Sequence, residues 1–157
     1  MANLPVNPPE WIDAAPICVE RSIDIAAPPH AVWIRIADHL SWPEWFTALD
    51  SVQITGAPSG VGGGRRVTVN RMSMDEEFTV WDDDEHFAFA VIGTKLPILA
   101  AMAESVRLEP VGDGCRVTYR QGLQGRRGFG RVLDAIWQRQ GAPALDDALS
   151  NLKRLCE

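Results

Sequence analysis

The sequence lacks the features that would assign it to a membrane, a secretory route or nucleic acid. No apolar run approaches the roughly 20 residues of a membrane-spanning helix. The first residues, MANLPVNPPEW, have neither the basic start nor the apolar core of a secretory signal. The net charge of −6 argues against nucleic acid as the main partner, because phosphate binding requires a basic surface. We therefore expect no membrane span and no nucleic-acid partner.

Cysteine is scarce, and motifs for metal, cofactor or nucleophilic chemistry are missing. The three cysteines, Cys18, Cys115 and Cys156, have no CxxC spacing, which predicts reduced thiols in a cytoplasmic protein. The three histidines form no HExxH pair, no GxSxG segment occurs, and the glycine-rich segments do not match the phosphate-loop pattern GxxxxGKS/T. The sequence thus predicts no metal site and no cofactor, and it assigns no catalytic residue.

The chain is long enough for one domain with a substantial core. Residues 1–16 contain four prolines and little periodicity, so we predict an extended arm followed by a single domain over residues 17–157. In residues 130–157, apolar side chains recur at spacings of three and four, which predicts one long amphipathic helix. Gly141-Ala142-Pro143 predicts a kink in it, because proline lacks a backbone donor and clashes with the preceding turn.

Between the arm and the last helix, the pattern predicts a strand, two short helices and a meander of strands. Residues 17–25 alternate strictly between apolar and polar, as in a half-buried strand. The helices are predicted within residues 28–46, and three hairpins follow. In the first hairpin, around Ser73-Met74, the predicted register pairs Val67 with Val80, Val69 with Phe78 and Arg71 with Glu76. In the second, around Asp83-Asp84, it pairs Val80 with Phe87 and Phe78 with Phe89. In the third, it pairs Leu108 with Val117, Val106 with Tyr119 and Glu104 with Gln121. These pairings predict a curved antiparallel sheet of six to seven strands with one apolar side.

This order of elements, together with several short segments, resembles a known superfamily. The segments are Glu20-Arg21-Ser22-Ile23-Asp24-Ile25-Ala26-Ala27-Pro28, Val32-Trp33, Asp38, Trp42-Pro43-Glu44-Trp45 and Gly60-Val61-Gly62. They resemble the START-like (SRPBCC) superfamily of polyketide cyclases and dehydrases, plant allergens and lipid-transfer domains, over roughly residues 17–155. The resemblance implies an α+β helix-grip fold, in which the sheet wraps the last helix and leaves an apolar cavity.

Polar side chains on the apolar side of the predicted strands are the candidates for a site. Because buried charges are costly without a partner, they indicate either internal ion pairs or contacts to a ligand. The first interpretation pairs Arg71 with Glu76 and Arg21 with Glu104. In the second, Arg21, Arg71 or Tyr119 binds a carbonyl or carboxylate of the ligand, and Glu104 is a proton acceptor. The residues predicted to bind a ligand are Arg21, Trp42, Val69, Arg71, Phe78, Phe87, Phe89, Glu104, Tyr119, Gln121, Ile136 and Trp137.

Three functional hypotheses follow from the predicted cavity. The first is that the protein binds a small hydrophobic molecule, either lipid-like or aromatic, between sheet and helix. The second is a cofactor-free polyketide cyclase, aromatase or dehydratase, in which a cavity carboxylate and a phenol transfer protons. The third is a protein-interaction module whose groove receives a partner.

Overall fold

The computed structural model describes all 157 residues, and it confirms the α+β helix-grip fold. The strands are β1 (Ala2–Asn3), β2 (Ile17–Ile25), β3 (Ser51–Ile54), β4 (Gly64–Val69), β5 (Met72–Asp82), β6 (His86–Thr94), β7 (Leu99–Val111) and β8 (Gly114–Gly125). The α-helices are α1 (Pro29–Ala37), α2 (Trp42–Trp45), α3 (Gly130–Ile136) and α4 (Ala142–Cys156). Short 3₁₀ turns occupy Pro9–Ala14 and His39–Ser41. None of the helices is long and apolar enough to cross a membrane.

One antiparallel sheet contains every strand, in the order β2-β8-β7-β6-β5-β4-β3, with β1 added against the far end of β6. The alternation in β2 buries Ile17, Val19 and Ile25, as the sequence predicts for a half-buried strand. The predicted register of the β7–β8 hairpin is confirmed at all three pairs, including Glu104 opposite Gln121. Its turn, Gly112-Asp113, has a positive φ at the glycine.

The predicted register of the β4–β5 hairpin is wrong. The turn lies at Asn70-Arg71, where both residues have positive φ, and not at Ser73-Met74. Two positive φ values suit a two-residue hairpin turn that follows the twist of the strands, and asparagine adopts them readily. As a result Arg65, and not Arg71, lies opposite Glu76. Arg71 is exposed in the turn.

The β5–β6 hairpin follows the prediction over only part of its length. Phe78 lies opposite Phe89 as predicted, but Val80 pairs with Ala88 and not with Phe87. The register shifts by one residue between Phe78 and Val80 because a β-bulge inserts an unpaired residue there. The pattern of apolar residues does not reveal such an insertion.

The C-terminal helix is continuous but changes its winding part-way. Between α3 and α4, residues Trp137–Gly141 form a π-helical turn, and Pro143, which has no N–H to donate, follows two residues after that turn. A side chain at position 141 would place its Cβ 2.5 Å from the Trp137 ring, so only glycine fits there. The predicted interruption therefore takes the form of a π-helical turn with Trp137 packed across it.

Apolar side chains form two clusters on the inner side of the sheet. The larger lies between the sheet, α1, α2 and α4, and α4 contributes Leu145, Leu149 and Leu152 to it. The smaller includes Leu4, Ile17, Val91, Leu99, Met102, Leu123 and Leu133. Trp137 packs against both clusters. A cavity remains where the two clusters meet beneath the π-helical turn.

Candidate functional site

The cavity lies between the inner face of the sheet and the π-helical turn, and it has a volume of about 130 Å³. A cavity of about 150 Å³ in another protein binds benzene, so this one accommodates a single ring. Seven of the predicted ligand-binding residues line it: Trp42, Val69, Phe89, Glu104, Tyr119, Gln121 and Trp137. Its other lining residues are Phe46, Ala48, Leu49, Arg65, Val67, Asn70, Met74, Glu76, Met102, Gln140, Gly141 and Ala144.

Five of the predicted residues lie outside the cavity. Arg21 is half-exposed and donates from Nε to Asp146 Oδ1 at 2.7 Å, so its predicted pairing with Glu104 is wrong. Arg71 lies in the β4–β5 turn, and its predicted pairing with Glu76 is also wrong. Phe78 and Phe87 are fully buried in an aromatic cluster around His39, with ring centroids 4.7 and 5.2 Å from its ring. Ile136 lines a depression on the opposite side of the helix.

The basic group of the cavity is Arg65, which is 1% exposed. Its Nε donates to Glu76 Oε2 at 2.5 Å, and its Nη1 donates to His39 Nδ1 at 3.1 Å. The guanidinium carbon lies 3.9 Å from the centre of the Trp42 ring, a cation–π contact shielded from water. Arg65 thus has a carboxylate, an imidazole and an aromatic face as partners within the protein.

The protonation states of His39 and Glu76, the two side chains bonded to Arg65, depend on burial and on the charge of Arg65. Burial lowers the pKa of His39 to about 3, and the positive charge of Arg65 contributes to this. His39 is therefore neutral and accepts the Arg65 hydrogen bond at Nδ1. Burial raises the pKa of Glu76, and the guanidinium opposes that change. His39, which sequence reasoning left unassigned, holds Arg65 in place.

A second polar group lies on the cavity wall formed by β7 and β8. The Tyr119 hydroxyl donates to Glu104 Oε2 at 2.5 Å, and Gln121 Nε2 lies 3.4 Å from the same oxygen. Trp137 Nε1 donates to Gln121 Oε1 at 3.0 Å, which links the π-helical turn to the sheet. The confirmed β7–β8 register places Tyr119 and Gln121 beside Glu104.

Glu104 is the group in the cavity whose ionisation is best matched to neutral pH. Burial first, and then the nearby Glu76 carboxyl, raise its pKa to about 7 against the lowering effect of the Tyr119 and Gln121 hydrogen bonds and of the Arg65 charge. Burial, and then the Glu104 carboxyl, raise the pKa of Tyr119 well above its usual value. Near pH 7 the Glu104 carboxyl therefore exists in both protonation states, while Tyr119 stays protonated.

Residues 16–157 match the family described as polyketide cyclase / dehydrase and lipid transport, which covers almost the whole chain. The protein belongs to this family. Membership accounts for the resemblance in the sequence, and it supports either the binding of a hydrophobic molecule or a cyclase role for the cavity.

Relatives of this polyketide cyclase/dehydrase family member extend the comparison. The uncharacterized protein Rv2574 of Mycobacterium tuberculosis is 30% identical over 111 residues, which are 69% of this chain and 66% of the relative. The Zhui aromatase/cyclase from Streptomyces sp. R1128 aligns with a TM-score of 0.72 at 18% identity, over 90% of this chain and 96% of that one. TTHA0849 from Thermus thermophilus aligns with a TM-score of 0.75 at 18% identity, over 89% and 97%. These two solved structures share the fold.

Within this family fold, the residue that sequence reasoning missed most clearly is Arg65. It shares its strand face with Val67 and Val69, so the alternation was the signal that could have placed it on the inner side. Because the turn was predicted at the wrong residues, Glu76 was paired with Arg71 in the prediction, whereas it lies opposite Arg65 in the structure. Met74 and Met102, two flexible apolar side chains on the cavity wall, carry no distinguishing signal in the sequence.

Proposed function

We propose that this protein binds a neutral, ring-containing small molecule in the cavity. The observation that carries the proposal is a ring-sized apolar space in which the side chains of Glu104, Tyr119 and Gln121 converge. An apolar wall with a few converging polar groups is typical of small-molecule sites, since the wall supplies affinity and the polar groups fix orientation. The family description, which includes cyclases and lipid transport, supports a ligand of this kind.

The charges around the cavity favour a ligand without a carboxylate. Arg65 is the single basic side chain in the lining, and Glu76 already neutralises it at 2.5 Å. Glu104 adds a second carboxyl group, so a ligand carboxylate would be a third acid beside one base. Burying a charge without a counter-ion costs several kcal/mol. A ring hydroxyl can instead donate to the ionised Glu104 or accept from its protonated form, and a ring carbonyl can accept from the protonated form.

Binding of matched neutral and anionic ring compounds tests this proposal. Titration with phenol, followed by tryptophan fluorescence and calorimetry, should show saturable binding, because Trp42 and Trp137 line the cavity. Benzoate should bind at least about tenfold more weakly at pH 7, since it adds an unpaired buried charge. A wider panel of flavonoids, long-chain alcohols and aromatic polyketides defines the preferred size.

A variant that fills the cavity, together with a matched control variant on the same helix, tests whether the ligand binds in the cavity. Ala144 lines the cavity from α4, whereas Ser150 is exposed on the same helix. Ala144→Phe should therefore abolish phenol binding, and Ser150→Phe should leave it unchanged. If no member of the panel binds, or if both variants bind like the wild type, the cavity is not the site.

A second function, proton transfer without a cofactor, is favoured by one observation. Glu104 has a pKa of about 7 and lies on the wall of a cavity sized for a ring. A general base works best when its pKa is near the operating pH, and such a base typically contributes 10²–10⁴-fold to a rate. In this proposal Glu104 removes a proton from the carbon beside a ligand carbonyl, which is a step that cyclisation and dehydration both require.

Hydrogen–deuterium exchange at such a carbon tests this second function directly. With cyclohexanone in D₂O, followed by NMR, the protein should accelerate exchange, and the rate should rise with pH through about 7 as Glu104 loses its proton. Glu104→Gln should remove the acceleration, by about 10²-fold or more. Glu109→Gln, at an exposed position of the same strand, should not. Binding of cyclohexanone without accelerated exchange would contradict proton transfer and leave ligand binding as the function.

The cysteines bear on the cellular compartment of the protein. Cys18, Cys115 and Cys156 are all free thiols in the structure. Free thiols persist in reducing compartments, so we propose a cytoplasmic location.

A further inference from the structure

A basic and apolar surface lies on the outer side of α3 and the turn before it. We define this α3 surface by six residues: Arg126, Arg127, Phe129, Arg131, Val132 and Arg139. Phe129 is 47% exposed and Val132 is 50% exposed, and both lie among the arginines along the chain. Large apolar side chains surrounded by basic ones are typical of helices that lie at a membrane interface.

The arginines of the α3 surface are not neutralised within the protein. None of the four forms a salt bridge, whereas six arginines elsewhere do: Arg21, Arg35, Arg65, Arg66, Arg116 and Arg120. Between Arg126 and Arg139 there is one carboxylate, Asp134, and it accepts a hydrogen bond from Gln138 at 3.3 Å. In a protein with a net charge of −6, this segment is therefore a local concentration of unpaired positive charge.

The segment is held in place, so its exposed apolar residues are not the result of a frayed end. Leu133 anchors α3 with 0% exposure. The Arg126 N–H donates to Ile98 O at 2.8 Å, and the Phe129 N–H donates to Arg126 O at 2.8 Å. Gly125 lies against Gly130 so closely that a Cβ would be 2.8 Å from its Cα, which fixes the entry into α3.

The depression beside the α3 surface shares one residue with the cavity. On the outer side of that surface, Arg131, Val132, Ala135, Ile136, Arg139 and Gln140 line this shallow depression. Gln140 also lines the cavity, and so do its neighbours Gly141 and Trp137. A flat partner that covers this depression therefore contacts Gln140, a residue of the cavity wall.

We propose that the α3 surface docks on an anionic phospholipid bilayer. Phe129 and Val132 enter the boundary between headgroups and acyl chains, and the four arginines bind lipid phosphates. The charge of the surface is complementary to the anionic lipids of a cytoplasmic leaflet. A protein partner is less well matched, because a standard protein interface buries about 800 Å² on each side, far more than two isolated apolar side chains supply.

Co-sedimentation with vesicles tests this proposal and needs no cavity ligand, so it is independent of the proposed function. The full chain should bind vesicles of 70% phosphatidylcholine and 30% phosphatidylglycerol, and it should not bind vesicles of phosphatidylcholine alone. Each arginine near an anionic surface contributes about fivefold to the partition coefficient. Arg131→Gln/Arg139→Gln should therefore reduce binding about 25-fold. Phe129→Ser should reduce it as well, and raised salt should weaken it through screening.

The matched control is Arg71→Gln/Arg107→Gln. It removes two exposed arginines without salt bridges from other parts of the surface, and it should bind vesicles like the wild type. Equal loss of binding in both double variants would show a response to net charge only and would overturn the proposal. Failure of the wild type to bind anionic vesicles, or binding of an acidic protein in their place, would also overturn it.

Discussion

Replacing Arg65 by methionine is expected to lower the free energy of unfolding by about 3–5 kcal/mol. Arg65 and Glu76 are 1% and 5% exposed and are joined by a hydrogen bond of 2.5 Å. Removing the guanidinium leaves the Glu76 carboxyl buried without its counter-ion and also removes the donor to His39. Urea denaturation followed by tryptophan fluorescence measures the change.

Two further variants separate the cost of an unpaired charge from that of lost packing. Arg65→Met/Glu76→Leu should recover most of the lost stability, because an apolar pair of similar volume often replaces a buried ion pair at little cost. Arg66→Met breaks the adjacent ion pair with Asp75, whose side chains are 42% and 27% exposed, and should cost no more than about 1 kcal/mol. Similar losses for Arg65→Met and Arg66→Met would contradict the assignment of Arg65 as a buried, paired charge.

Ending the chain after Gly130 is expected to abolish cooperative folding. The missing segment contributes four leucines that are at most 3% exposed: Leu133, Leu145, Leu149 and Leu152. Their burial is worth about 6–12 kcal/mol, which is comparable with the whole stability of a domain, about 5–15 kcal/mol. The fragment should be insoluble, or molten with no near-ultraviolet circular dichroism and no sharp thermal transition.

The control for this truncation is a chain that ends after Arg154. It keeps the four leucines and loses only residues at the end of α4, so it should unfold cooperatively. A soluble fragment of residues 1–130 with a sharp unfolding transition would contradict the role of the helix in covering the sheet.

The elements that could be predicted from the sequence are those with a strong local pattern. Strict alternation located β2, and apolar spacings of three and four located α4. The β7–β8 hairpin was predicted correctly because its Gly112-Asp113 turn is marked by glycine and leaves one consistent register. This correct register is what brings Glu104, Tyr119 and Gln121 together in the predicted sheet.

The β4–β5 hairpin shows why the remainder was not predictable. The predicted and observed registers both place odd-numbered residues of β4 opposite even-numbered residues of β5, so the apolar residues face the same side in both. Alternation cannot distinguish two such registers. The deciding feature was the left-handed backbone at Asn70 and Arg71, and arginine gives little sign of it.

The position of Trp137 has a consequence for how the interior responds when the cavity is filled. Its indole packs against both apolar clusters, lies over Gly141 and hydrogen-bonds to Gln121 on the sheet. A ring bound beside it would contact side chains of both clusters at once, including Phe89 from the larger and Met102 from the smaller. The two clusters, which both contact the Trp137 indole, would then also both contact the ligand. Ligand binding would therefore add packing contacts between the two clusters, and ligand release would remove them.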